Sequence, residues 1–153
     1  MDKQIYIIHE NDKWIIPLRE ELKKINAPYK EWHMGRDKID FSNIPPEGVF
    51  YNRMSASSHT RGHRYAPEDT KLVLNWLENY NRRIINNSKA LKLEISKQKQ
   101  YQELEKYNIK FPKTFFCKDK NSLLENSNYF DKPFITKHNR GGRGLGIKYF
   151  NNK

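Results

Sequence analysis

The short apolar run Phe134-Ile135-Thr136 ends in Lys137, and His138-Asn139-Arg140 leads from it into four glycines within six positions. These are Gly141, Gly142, Gly144 and Gly146, with Arg143 among them and Leu145-Ile147 around the last. Glycines at that density let a backbone approach a ligand closely and aim its N–H groups at it. A lysine at the edge of such a loop supplies the compact point charge that suits phosphate. The pattern predicts a phosphate clamp on a β-hairpin; a hairpin turn without a ligand is the competing reading. It is not a P-loop, which needs G-x-x-x-x-G-K-[ST] and a long helix after it. Nor is it a dinucleotide fingerprint, which belongs at the first strand-to-helix turn. That turn is here His9-Glu10-Asn11-Asp12, without glycine.

A second group lies between Arg53 and Arg64. This polar stretch follows an expected strand over Gly48–Asn52, at the carboxyl edge where open α/β sheets place ligands. Arg53, Arg61 and Arg64 could clamp an acidic acceptor, and His59 or His63 could polarise it; a solvated loop is the alternative. His59 and His63 have a zinc-like spacing, but no Cys, Asp or third His lies near them in sequence, and no metal ligand is assigned.

The elements that must position these residues are readable from hydrophobic spacing. Gln4–Ile8 is almost wholly apolar, as in a strand buried on both faces. Ile15, Leu18, Leu22 and Ile25 define one face of a helix that Asp12 can cap. Tyr29–His33 reads as a second strand. Pro67-Glu68-Asp69 opens a helix carrying Leu72, Val73, Trp76, Leu77 and Tyr80, and Arg83–Asn86 reads as a fourth strand. Strands alternating with helices imply a parallel sheet. A change of pattern near Asn87-Ser88 introduces a lysine- and glutamine-rich helix over 88–107, with Leu91, Ile95 and Leu104 inward. A strand at Thr114–Cys117 and a short helix around Ser122–Leu124 precede the glycine hairpin.

The chain has 153 residues, enough for one ordinary domain or two small ones. Aromatic residues make up 13% of it, so a packed core is within reach although hydrophobic residues total only 36%. The net charge of +11 favours anionic partners, while the dispersal of its lysines along helices points to a solvated basic surface. One cysteine, Cys117, excludes an intrachain disulfide and fits a reducing compartment; after Phe115-Phe116 it is expected to be a buried thiol. The first residues are too sparingly apolar for a signal peptide or membrane span, and a cytoplasmic protein is expected.

Together these motifs resemble the opening of an ATP-grasp domain, as in glutathione synthases and glutamate ligases. The resemblance covers 83–150: Ile85-Asn86, a helix bearing Lys97, the segment Asn108 to Thr114 with Ile109, Pro112 and Thr114 in place, a strand ending in Lys137, and the glycine flap. Tyr51-Asn52-Arg53-Met54-Ser55 and Thr60-Arg61-Gly62-His63 look like stretches of one bacterial branch. The fold it implies is α/β: a parallel-sheet pre-ATP-grasp domain over 1–87, then an incomplete α+β ATP-grasp subdomain over 88–153.

The resemblance further implies that Lys97 and Lys137 hold ATP phosphates from two directions, beneath a flap formed by Gly141, Gly142, Arg143, Gly144 and Gly146. The family reaction phosphorylates a small carboxylate with ATP and lets an amine displace the phosphate. Its adenine segment, its acyl-phosphate site and the carboxylates that hold Mg²⁺ come from later sequence. The 153 residues are therefore expected to be the N-terminal part of such a ligase, without turnover alone. His138 departs from the family, which has proline after the lysine. The alternative is a small basic α/β module that binds RNA or another polyanion. Ordered RNA readers interleave exposed aromatics with basic residues, whereas these aromatics fall at core-facing positions, so nucleic acid ranks second.

Overall fold

The computed structural model describes residues 4–141 and 144–151. They fold as two compact units, Met1–Ile95 and Ser96–Lys153. The first is built on four parallel strands, β1 (Ile5–His9), β2 (Tyr29–His33), β3 (Val49–Asn52) and β4 (Arg83–Ile85), in the order β2-β1-β3-β4. This is the parallel α/β sheet expected from the alternation of strands and helices.

β1 is central, and period-2 geometry sends its side chains to two cores. Ile7 packs with Ile15 and Leu22 of α1 (Asp12–Lys24) on one face. Tyr6 and Ile8 pack with Phe50 and with Val73, Leu74 and Leu77 of α2 (Ala66–Asn79) on the other. Tyr6 stacks on Phe50 at 4.8 Å between ring centroids and meets Trp32 at 5.1 Å, so aromatic area fills the wider core.

Several helix details differ from the sequence expectation. Asn11, not Asp12, caps α1: its side chain accepts from the N–H groups of Lys13 and Trp14, both at 3.2 Å. That leaves the Asp12 carboxylate for arginines. Ile25 falls past the end of α1 and is 70% exposed, and Leu72 sits on the outer face of α2 at 59%. The expected helix over 88–107 is two helices, α3 (Ser88–Glu94) and α4 (Lys97–Lys106). Ser96 interrupts it with an extended backbone and an N-cap bond to Lys99 N–H, the local competition with helix that serine side chains offer. α3 belongs to the first unit because Leu91 is part of its core, so the compact unit extends eight residues past the 87/88 change of sequence pattern (95 minus 87).

The second unit contains α4, α5 (Lys120–Ser127) and an antiparallel hairpin of β5 (Phe134–Thr136) and β6 (Lys148–Phe150). Phe134 pairs with Phe150 and Thr136 with Lys148. Thr114–Cys117 forms no strand, and Cys117 is exposed, contrary to the expected buried thiol. The segment has no ladder partner; Phe115 packs on Phe130 at 5.6 Å instead, and the thiol lies 3.6 Å from the Ser122 carbonyl. Among the described residues from Lys97 onward none is buried. No helix is long and apolar enough to cross a membrane among the described residues.

Candidate functional site

A cleft of about 690 Å³ runs through the second unit. Phe116, Phe130, Phe134 and Ile135 give it an apolar side, and both Lys97 and Lys137 line it. The two lysines arrive by different routes. Lys137 follows directly on β5, and Lys97 is the first residue of α4. Lys137 Nζ donates to Tyr101 Oη at 2.6 Å and lies 5.1 Å from that ring's centroid. Lys97 Nζ donates to the Gly141 carbonyl at 2.7 Å. An ammonium carries three donors, and each lysine engages one with a neutral oxygen that an anion can displace.

Gly144 and Gly146 have φ of +72° and +73°, the left-handed region that glycine occupies without penalty. A side chain at Gly146 would also meet the His138 ring, at 2.4 Å from Cδ2. His138, where the family has proline, therefore stacks against the glycine turn. Gly142 and Arg143 lie outside the described residues.

The start of α4 is fastened to the approach of the glycine segment by Asn139. Its carbonyl accepts from Lys97 N–H at 3.1 Å and its Oδ1 from Gln98 N–H at 2.9 Å. Asn139 and Tyr101 line the cleft, and neither was singled out from sequence; only their distance in space from Lys97 and Lys137 reveals them.

Magnesium is implied by the family resemblance, yet the donors here do not fit it. Asp119 is the sole carboxylate lining the cleft among the described residues, and it caps α5 by accepting from Ser122 N–H at 2.8 Å. A divalent ion of this class takes several oxygen ligands.

In the first unit a cavity of about 420 Å³ opens beside the carboxyl ends of β3 and β4, lined by Trp14, Tyr51, Arg53, Asn86 and Glu94 among others. Of the three arginines singled out from sequence, Arg53 alone lines it. The Arg61 guanidinium grips the buried Glu10 carboxylate through two nitrogens, reaches Ser57 Oγ at 3.1 Å and lies 5.2 Å from the Trp14 ring centroid. Arg64 lies over Tyr65, at 5.9 Å from the ring centroid. His59 bonds the Ala56 carbonyl at 3.2 Å, while His63 packs edge-on to His33 at 5.2 Å, so the two do not converge.

His9, Asp12 and His33 bring ligand-type atoms within 4.8 Å of one another. Arg36 and Arg19 already share Asp12, at 3.1 and 3.3 Å. His33 Nδ1 accepts from Gly35 N–H at 3.1 Å, which leaves the ring proton on Nε2, where a metal would bind. His9 bonds Glu31 at 3.0 Å, and Glu31 is gripped by Arg19 at 2.6 Å through both nitrogens. Burial pushes both histidines below their ordinary value, His9 against the pull of Glu31. The Arg19 hydrogen bonds hold Glu31 below the usual carboxylate range. The cluster is an ion-pair network with two neutral histidines in it.

No protein-family model and no curated protein matches the chain. Solved structures do. A RimK domain protein ATP-grasp from Sphaerobacter thermophilus is similar with a TM-score of 0.69 at 10% identity, over 96% of this chain and 54% of that one. The ATP-grasp ligase PsnB, complexed with minimal precursor, is similar with a TM-score of 0.63 at 14% identity, over 98% of this chain and 57% of that one. The chain thus spans little more than half the length of these structures. At such identities the likeness is one of architecture, and the architecture is that of ATP-grasp proteins.

Proposed function

We propose that the cleft of the second unit binds the phosphates of ATP, and that the chain serves as part of an ATP-dependent carboxylate–amine ligase. Lys97 and Lys137 supply the cationic contacts, and the glycine segment, which reaches Lys97 Nζ at the Gly141 carbonyl, is the candidate source of backbone N–H donors. The observation that carries this reading is the convergence of the two lysines on one cleft from separate elements, each held in place by a neutral oxygen. A triphosphate calls for dispersed positive charge and backbone donors. The apolar side of the cleft offers a surface for the base. Arg53, on the first unit's cavity, is the candidate to hold the carboxylate of an acceptor. No step is assigned to Mg²⁺, because Asp119 is the one carboxylate among the described residues of the cleft.

Calorimetric titration of ATP into the 153-residue chain tests the proposal. Lys97→Ala and Lys137→Ala should each weaken binding about tenfold, the worth of one charge-assisted hydrogen bond. Equal ATP affinity in all three proteins would overturn it. Affinity for RNA with a steep salt dependence, and no effect of nucleotide, would favour a polyanion-binding module instead.

A further inference from the structure

The first backbone N–H groups of an α-helix have no partner within it. In α4, Ser96 Oγ accepts that of Lys99 at 3.4 Å. Asn139, 41 positions beyond Gln98, accepts the two before it, Lys97 N–H on its carbonyl and Gln98 N–H on Oδ1. Its Nδ2 donates back to Ser96 Oγ at 3.3 Å. One amide side chain thus closes a ring around the helix start, accepting from one residue and donating to another.

We infer that Asn139 is a positioning residue, which sets the place of Lys97 relative to Lys137 on the cleft. The inference rests on the phosphate reading above. Lys137 stands two residues before Asn139 in the chain, and the Gly141 carbonyl that receives Lys97 Nζ stands two residues after it. Lys97 is accordingly held at its backbone by Asn139 and at its ammonium by Gly141. The clasp also occupies the N–H groups of the helix start. An anion in the cleft therefore meets the lysine side chains and not the end of α4. Aspartate would be a poor replacement, since it would lose the Nδ2 donor and add negative charge beside both lysines, where it would compete with an anion.

The test is a double-mutant cycle on the 153-residue chain, with the affinities for ATP and for inorganic tripolyphosphate read by calorimetry. Asn139→Ala keeps the backbone bond to Lys97 and removes the side-chain bonds to Gln98 and Ser96; it should weaken both ligands about tenfold, as Lys97→Ala does. Because Asn139 acts through Lys97, the double variant should bind within about twofold of Lys97→Ala alone. If Asn139→Ala does not fold, Ser96→Ala removes the hydroxyl to which Asn139 Nδ2 donates and so opens the same ring from the other side, with a loss in the same direction. Unchanged affinity in the single variant, or losses that add in the double, would overturn the inference while the phosphate reading stands. A wild-type chain that binds neither ligand would overturn both.

Discussion

Arg61 grips Glu10 from 51 positions away: its Nε lies 2.9 Å from Oε2, its Nη2 bonds the other oxygen, and the Glu10 side chain has no solvent exposure. Glu10 follows directly on β1, and Arg61 closes the 3-10 turn Ala56–Arg61 that comes after β3. The pair therefore fastens that loop to the carboxyl edge of the sheet, with Ser57 on a third nitrogen. A carboxylate taken out of water costs several kcal/mol unless it is paired and hydrogen-bonded.

Arg61→Ala should accordingly destabilise the first unit, because it strands a buried charge. Breaking such a pair from one side costs about 3–5 kcal/mol, whereas replacing both members by apolar groups of similar volume costs far less. Urea denaturation of Arg61→Ala, Glu10→Gln and the double variant Glu10→Leu/Arg61→Leu measures this. The expected order is a large loss for Arg61→Ala and a smaller one for the double. An Arg61→Ala protein with unaltered midpoint would show that the guanidinium is free for a ligand, as its place in the sequence suggested.

Acid should weaken the first unit in two stages. His9 and His33 are buried below their ordinary value of 6.5. The unfolded chain therefore binds protons more readily than the folded one, so stability is fully present above pH 6.5 and falls as pH drops through the folded values. Glu31 is held low by Arg19, and its contribution is present above the unfolded carboxylate value of 4.5 and lost below it. The urea midpoint should decline from pH 7 to pH 5 and again below pH 4.5. In His33→Gln the first decline should shrink while the second remains. A flat midpoint between pH 7 and pH 5 would contradict the neutral state of the histidines.

The sheet was legible because its information is local. Tyr6, Ile7 and Ile8 are apolar in succession, and that run requires a strand covered on both faces, as found. Lys137 stood out by its place before a glycine loop, whereas Lys97, inside the helix expected over 88–107, looked like one more surface lysine and came only from the family resemblance. The break at Ser96 that makes it a helix start was not read. What sequence could not give was the use of side chains that pair over long separations. Arg61 looked like a ligand clamp because its partner Glu10 lies 51 positions earlier. Asn139 was not singled out, because the amides it caps lie 41 or more positions before it. Cys117 followed two phenylalanines and so looked like part of a strand, but a strand needs a ladder neighbour, and none is present there among the described residues.

The glycines that follow β5 differ in what they require. Gly146 has φ of +73° and a His138 ring atom 2.4 Å from where a Cβ would stand; at Gly141 the nearest side-chain atom is 3.8 Å away, ordinary contact. Gly146→Ala must bear about 1–2 kcal/mol of left-handed backbone strain and displace the histidine. Thermal melts should show a lowered midpoint for Gly146→Ala and little change for Gly141→Ala. His138→Ala should relieve the clash but leave the backbone term, recovering part of the loss. Equal melts for the two glycine variants would contradict the packing of His138 on the turn.

Binding and turnover should separate in this chain. Phosphoryl transfer from ATP depends on divalent metal to neutralise charge on the transferring group, and metal depends on more carboxylates than the described residues of the cleft offer. Asp119, the one acid among its described lining residues, is hydrogen-bonded to Ser122 N–H at 2.8 Å and held below its ordinary value chiefly by that backbone bond. The purified 153-residue chain should therefore bind ATP through Lys97 and Lys137 and release no phosphate from it at any Mg²⁺ concentration. Measuring phosphate release with and without Mg²⁺, in wild type and Lys137→Ala, decides the matter. Mg²⁺-dependent release that Lys137→Ala abolishes would mean that the cleft assembles a complete metal site, and the assignment of Asp119 to helix capping alone would have to be given up.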